Sequence, residues 1–148
     1  MSTIGAIAAI SIQMLGEPTV DPVQQECIAK NIYYEARSEP VEGQIAVAHV
    51  TMNRVNESHW PNTACEVVYE KKQFSWTHLV KDQNPKDVKS WNRALTISRD
   101  VLIGNTIDPT DGATFYHANY VNPSWADQMT VSKVIGLHVF YTWDGTWD

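Results

Sequence analysis

Cys27-Ile-Ala-Lys-Asn-Ile-Tyr-Tyr-Glu-Ala-Arg-Ser-Glu-Pro-Val-Glu-Gly-Gln44 reads as a helix that runs into a turn and directly into a second helix. On a helical wheel of about 100° per residue, Glu35 falls about 20° from Ile28 and is flanked by Asn31 and Ile32. Glu26, Lys30 and Arg37 gather on the opposite side. A carboxyl group is therefore placed on the wall that the helix should bury. It also sits in the last turn before Pro40, where the negative end of the helix dipole disfavours ionisation, and burial acts in the same direction. Both effects raise the pKa, as a general acid working near neutral pH requires.

Outward from this stretch, Asp21 and Pro22 fit the N-cap and first position of the Glu35 helix. Pro40 fits the first position of the next helix, with Glu42 in its favourable first turn. That second helix, Val41 to Val55, is apolar on almost every side and is expected to be the central buried helix. A short helical turn follows around Ala64 to Tyr69. The segment Asn84 to Gly104 reads as a surface helix with Val88, Trp91, Leu95, Ser98 and Leu102 as its apolar stripe. Ala113 to Tyr120 and Val134 to Thr142 alternate and are rich in β-formers, so two strands are expected, separated by a loop holding Pro123 and Trp125. The fold class is thus α+β, mainly helical, with a small hairpin or sheet near the C-terminus.

A chain of 148 residues fits one domain with a core of its own, spanning 1–148. The apolar run Thr3 to Leu15 is too short to cross a bilayer and lacks the basic start of a signal peptide, so the first 20 residues are expected to pack on the domain. A net charge of −6, with no basic cluster larger than Lys71-Lys72, argues against nucleic acid. Six Trp and six Tyr stand against three Phe, mostly in turn-like sequence, which suits a wet, sugar-like or peptide-like ligand. Cys27 and Cys65 are either a disulfide or two buried thiols, and without an export signal the thiols are the commoner case.

Among the acidic residues, Glu39 is explained as solvated turn and Glu42 as a helix-start residue, whereas the wheel position of Glu35 contradicts solvation. His117 and His138 lie in the two expected strands and could join Glu35 in a two-histidine, one-carboxylate zinc site. No pair of histidines stands at helical spacing, so substrate-facing or hydrogen-bonded histidines are the preferred reading, with neither metal nor cofactor expected.

The run Ile32-Tyr-Tyr-Glu-Ala-Arg-Ser-Glu-Pro-Val-Glu-Gly-Gln-Ile-Ala-Val-Ala48, continued by Asn53-Arg-Val55 and Cys65-Glu-Val-Val68, resembles the cell wall hydrolase family typified by the spore cortex-lytic enzymes. Gln73-Phe-Ser-Trp76, Tyr116-His-Ala118, Pro123-Ser-Trp-Ala126 and Ile135-Gly-Leu-His-Val-Phe-Tyr141 fit the same family in the same order. The sequence departs from the family pattern at Ser38, where a glycine usually follows Glu-Ala-Arg.

The resemblance implies a lysozyme-like domain that cleaves peptidoglycan glycan strands between N-acetylmuramic acid and N-acetylglucosamine, with the family's catalytic glutamate on Glu35. It implies a cleft bordered by Gln73, Phe74, Ser75 and Trp76, by Tyr116 and His117, and by His138. Trp76, Trp125 and Tyr116 are expected to offer flat faces to sugar rings, and Gln44 and Gln73 amide hydrogen bonds. With a single well-placed acid, the expected chemistry is that of a lytic transglycosylase, Asp82 being the best remaining second carboxylate if water is used instead. The partner is then peptidoglycan and the protein is expected to be monomeric. The similarity extends to single-domain bacteriophage lysins, which are made in the cytoplasm and act on the wall after release. Two alternatives belong to other classes: a zinc amidase built on His117, His138 and Glu35, and a wall-binding module without activity.

Overall fold

Asp21 accepts the Val23 amide at 2.9 Å and starts helix α1, Pro22–Ala36, with Pro22 in its first turn. The computed structural model describes residues 19–146, so the expected terminal helix over Thr3 to Leu15 lies outside the described residues. After the turn at residues 37–40 comes α2, Val41–Val55, with Pro40 at the N-cap, one position earlier than the sequence suggested. Helix α3 is Ala64–Val68, α4 the single turn Trp76–Leu79, and α5 Val88–Leu102. Asp87 caps α5 by accepting the Ser90 amide at 3.2 Å, which delays its start beyond the Asn84 expected.

The three long helices pack on one another, α1 against α5, α2 and α3. Ile28 and Ile32 of α1 meet Val47 and Val50 of α2, all fully buried, and Ala94 of α5 joins them. The wheel reading of α1 is met, and α2 is buried along most of its circumference. The apolar face of α5 is turned slightly from the expected stripe. Ala94, Ile97, Ser98 and Val101 are buried, Trp91, Leu95 and Leu102 flank them, and Val88 is 67% exposed.

The expectation of two strands is corrected to three. Strand β1 is Phe115–Ala118, β2 Thr130–Ile135 and β3 His138–Thr142, in the antiparallel order β1-β3-β2. The run Val134 to Thr142 is not one strand but the end of β2, a two-residue turn and β3, with Ile135 paired to His138. Gly136 carries φ +56, which a hairpin turn of this length demands at one of its two central residues and which other residues adopt at a cost. Apolar residues on both sides of this glycine hid the turn in the sequence.

Cys27 on α1 and Cys65 on α3 are joined in a disulfide, their Cα atoms 5.1 Å apart, so the reading as two thiols does not hold. The bridge ties the helix bearing Glu35 to its neighbour and closes a loop of sequence separation 38. Breaking it should cost about 2 to 4 kcal/mol, chiefly by freeing the unfolded chain. Thermal melts with and without reductant should differ by about 5 to 12 °C; coincident melts would show that the bridge contributes no stability.

Candidate active site

A cleft of about 950 Å³ opens between the end of α1, the 72–78 segment and β1. Glu35 reaches it from the last turn of α1, half-buried, and is the only carboxyl among the described residues that line it. Burial pushes its pKa from 4.5 up to about 7, with no neighbouring charge to offset the shift. The group is therefore protonated in a large fraction of molecules at neutral pH. Beside it Tyr34 stacks on Trp76 with ring centroids 4.9 Å apart.

Asn31, one turn earlier on α1, is 1% exposed, and its Oδ1 accepts the Trp76 indole N–H at 2.8 Å. That bond leaves Nδ2 buried. The Tyr116 hydroxyl is itself buried, and the Asn31 side chain interacts with it. Burial first, and then the Glu35 carboxylate, raise its pKa well above the ordinary value, so it keeps its proton.

Glu39 overturns its reading as solvated turn. Its side chain is 8% exposed and accepts the Leu137 amide at 2.7 Å, holding the β2–β3 turn against the α1–α2 turn. His138 Nδ1 lies 3.3 Å from the same oxygen, without the alignment of a hydrogen bond. Gly136 permits this approach, since a Cβ there would stand 2.9 Å from Glu39 Oε1. Burial lowers the His138 pKa while Glu39 pulls it upward, and His138 closes the cleft as a buried wall residue.

Arg54 lies in the Asn53-Arg-Val55 stretch that carries part of the family resemblance, but the sequence reading gave it no role. It is 4% exposed on α2, donating from Nε to the Thr114 carbonyl at 2.7 Å and from a terminal guanidinium nitrogen to Gln73 Oε1 at 2.9 Å. Its guanidinium carbon lies 5.1 to 5.5 Å from the rings of Phe115, Trp60 and Phe74. Burial draws its pKa down to about 10, which leaves it charged at neutral pH. It thereby links the segment at Gln73 to the start of the sheet, on two sides of the cleft.

Of the residues expected to bind substrate, Gln73, Phe74, Ser75, Tyr116, His117, Trp125 and His138 line the cleft with Glu35. Trp76 and Gln44 do not. Trp76 is 5% exposed and spends its N–H on Asn31, so it supports the wall from behind. Gln44 is 1% exposed and donates to the Glu39 carbonyl at 3.1 Å, bracing the interhelical turn. Asp82 stands outside the cleft, exposed and 2.9 Å from Lys86.

His117 has both ring nitrogens engaged, with the Ala118 carbonyl and the Tyr141 hydroxyl, each at 2.7 Å. Holding a metal would break one of these bonds, and no group of three His, Cys, Asp or Glu side chains among the described residues is placed to hold an ion. The cleft also contains His59, Trp60 and Trp143, which pack edge to face at centroid distances of 4.7 to 6.0 Å. The count of Trp in loops was their only signal in the sequence.

Residues 38–141 match the family described as Cell Wall Hydrolase. Glu35 stands three positions before that span. The spore cortex-lytic enzyme of Oceanobacillus iheyensis is 30% identical over 118 residues, covering 78% of this chain and 40% of the relative. The spore cortex-lytic enzyme of Bacillus cereus is 32% identical over 120 residues, covering 78% and 42%. The chain thus spans about two fifths of the length of these curated relatives. Among solved structures, the catalytic domain of the Bacillus cereus SleB protein superposes with a TM-score of 0.68 at 27% identity, over 85% of this chain and 94% of that one. The catalytic domain of the germination-specific lytic transglycosylase SleB from Bacillus anthracis gives 0.69 at 28% identity, over 85% and 99%. These superpositions agree with the lysozyme-like α+β fold that the sequence implied. Because the matched span runs from the turn behind Glu35 through nearly all of β3 and takes in most of the chain, the protein belongs to the cell wall hydrolase family.

Proposed function

We propose that this chain cleaves the glycan strands of peptidoglycan between N-acetylmuramic acid and N-acetylglucosamine as a lytic transglycosylase, with Glu35 as both acid and base. The observation that carries the reading is one half-buried carboxyl, its pKa raised to about 7, with no second carboxyl among the described residues that line the aromatic cleft. Its relatives' names, spore cortex-lytic enzyme and lytic transglycosylase, agree with this chemistry.

In the proposed cycle protonated Glu35 gives its proton to the glycosidic oxygen, the bond to muramic C1 breaks, and positive charge develops on the ring. The resulting carboxylate faces that charge and then takes the proton of the muramic 6-hydroxyl as O6 closes on C1. Glu35 returns to its acid form and no water is consumed. Retaining and inverting hydrolases instead need a second carboxyl at about 5 to 9.5 Å. Here Glu39 is held by the hairpin, Glu42 is exposed on α2, and Asp82 is paired with Lys86. Tyr116 lines the cleft near the acid, with its hydroxyl buried against the Asn31 side chain.

Mass spectrometry of the muropeptides released from murein tests the reading. The expected product has 1,6-anhydromuramyl ends, one water lighter than hydrolysed ends; reducing muramic acid ends would show that water is activated in the cleft. The disulfide fits work outside a reducing cytoplasm. The setting we propose, that of a bacteriophage lysin acting on the wall after release, rests on the sequence resemblance.

A further inference from the structure

The protein carries a net charge of −6, yet the permanently charged side chains among the described residues that line its cleft are cations. Against Glu35, raised to a pKa of about 7, stand Arg54 and Lys72. A glycan strand gains nothing from such a field, because the muramic carboxyl is consumed in the amide to the stem peptide. The negative charge of the polymer resides on the free carboxylates of that peptide.

Next to the cleft lies a second hollow of about 470 Å³, lined by Tyr69, Lys71, Lys72, Thr77 and His78. Lys72 and His78 belong to both walls, so the two spaces adjoin at these side chains. Tyr69 packs edge to face on Trp76, with centroids 5.5 Å apart, and provides an apolar wall among the cations. Lys71 and Lys72 are exposed and form no ion pair among the described residues. Lys72 also sits at φ +68, a conformation in which glycine is cheaper by about 1 kcal/mol. A long cation thus stands at the junction of the two hollows.

We propose that the shelf formed by Lys71, Lys72 and His78 is a subsite for the carboxylates of the stem peptide, so that strands whose peptide carboxylates are free are cleaved in preference to strands whose peptide carboxylates are blocked. The proposal rests on the glycan-cleavage reading above and extends it to the substrate. Tyr69 and Thr77 would face the peptide's methyl and methylene groups, and the lysines its free carboxylates. The muramic residue in the cleft would then enter with its peptide directed toward the shelf.

The test compares kcat/KM on soluble peptide-bearing strands with that on the same strands after the free carboxylates of their peptides have been converted to primary amides. The wild-type protein should prefer the strands with free carboxylates, and the preference should shrink between about 20 and 300 mM salt as the exposed charges are screened. The double variant Lys71→Ala, Lys72→Gly relieves the backbone strain and should lower the ratio of the two constants about three- to tenfold, mainly through KM. Arginine at both positions should restore the ratio. Lys71→Glu leaves the strained position untouched and should lower the ratio by itself. An unchanged ratio, or equal losses on both substrates, would overturn the subsite and leave glycan cleavage standing. Failure of the wild-type protein to cut either substrate would overturn both.

Discussion

Glu35→Gln should fold as the wild-type protein does and lose about 10² to 10⁴ of its lytic activity, the range general acid–base groups supply. Glutamine preserves the shape and a hydrogen-bonding head but has no transferable proton. The change removes an interaction needed only as the glycosidic bond breaks, so the loss should fall on kcat rather than on binding. Turbidity clearing of purified murein, read beside thermal melts, decides it. A folded variant that still clears murein would take Glu35 out of the chemistry.

The same residue sets two pH dependences, both falling as pH rises but over different windows. The acid form is the active one, so kcat/KM should fall as pH rises through about 7, following the Glu35 pKa. Stability should fall over a lower window. The folded pKa lies above the unfolded one, so the folded protein holds the proton more tightly between 4.5 and about 7. Raising the pH through that window therefore favours the unfolded chain, by up to about 3 kcal/mol before any discount for partial exposure. Glu35→Gln abolishes this term. The variant should melt with the wild type at pH 4 and several degrees above it at pH 8, while being far less active at both. Activity and stability moving in opposite directions is the signature of a buried acid kept for function.

How much of this was legible in the sequence depended on whether the signal was local. The α1 wheel, the Asp21 cap and the apolar length of α2 are set by neighbours within one or two turns, and these were read correctly. The fold class followed from them. The residues around Gly136 could not be read this way, because what makes the glycine necessary is Glu39, almost a hundred positions earlier. The same pairing removes Glu39 from the solvent that its turn position seemed to promise. Trp76 and Gln44 were assigned to the substrate by residue type, and both prove to be spent on internal bonds that only the assembled fold brings within reach. For Arg54 the failure ran the other way. A basic residue in the last turn of a helix is ordinarily explained by the helix dipole, so nothing marked it as buried.

Arg54→Ala should be the most destabilising single substitution in the walls of the cleft. Truncation removes two charge-assisted hydrogen bonds and leaves the Thr114 carbonyl, on a residue 3% exposed, without the donor at 2.7 Å. It also empties the space between Trp60, Phe74 and Phe115 that the guanidinium fills. Losses of this kind amount to about 3 to 5 kcal/mol, which for a domain of this size lowers the melting temperature by roughly 10 °C. Lysine should recover little, because a single ammonium cannot span both acceptors or lie flat among three rings. Activity should fall as well, even below the melting transition, since Gln73 would lose its tether at 2.9 Å and the segment carrying Phe74 and Ser75 would be held less firmly beside Glu35. Differential scanning calorimetry with murein turbidity measures both effects. An Arg54→Ala protein that melts within about 2 °C of the wild type would show that solvent reaches the Thr114 carbonyl freely, and that Arg54 does not brace the two sides of the cleft.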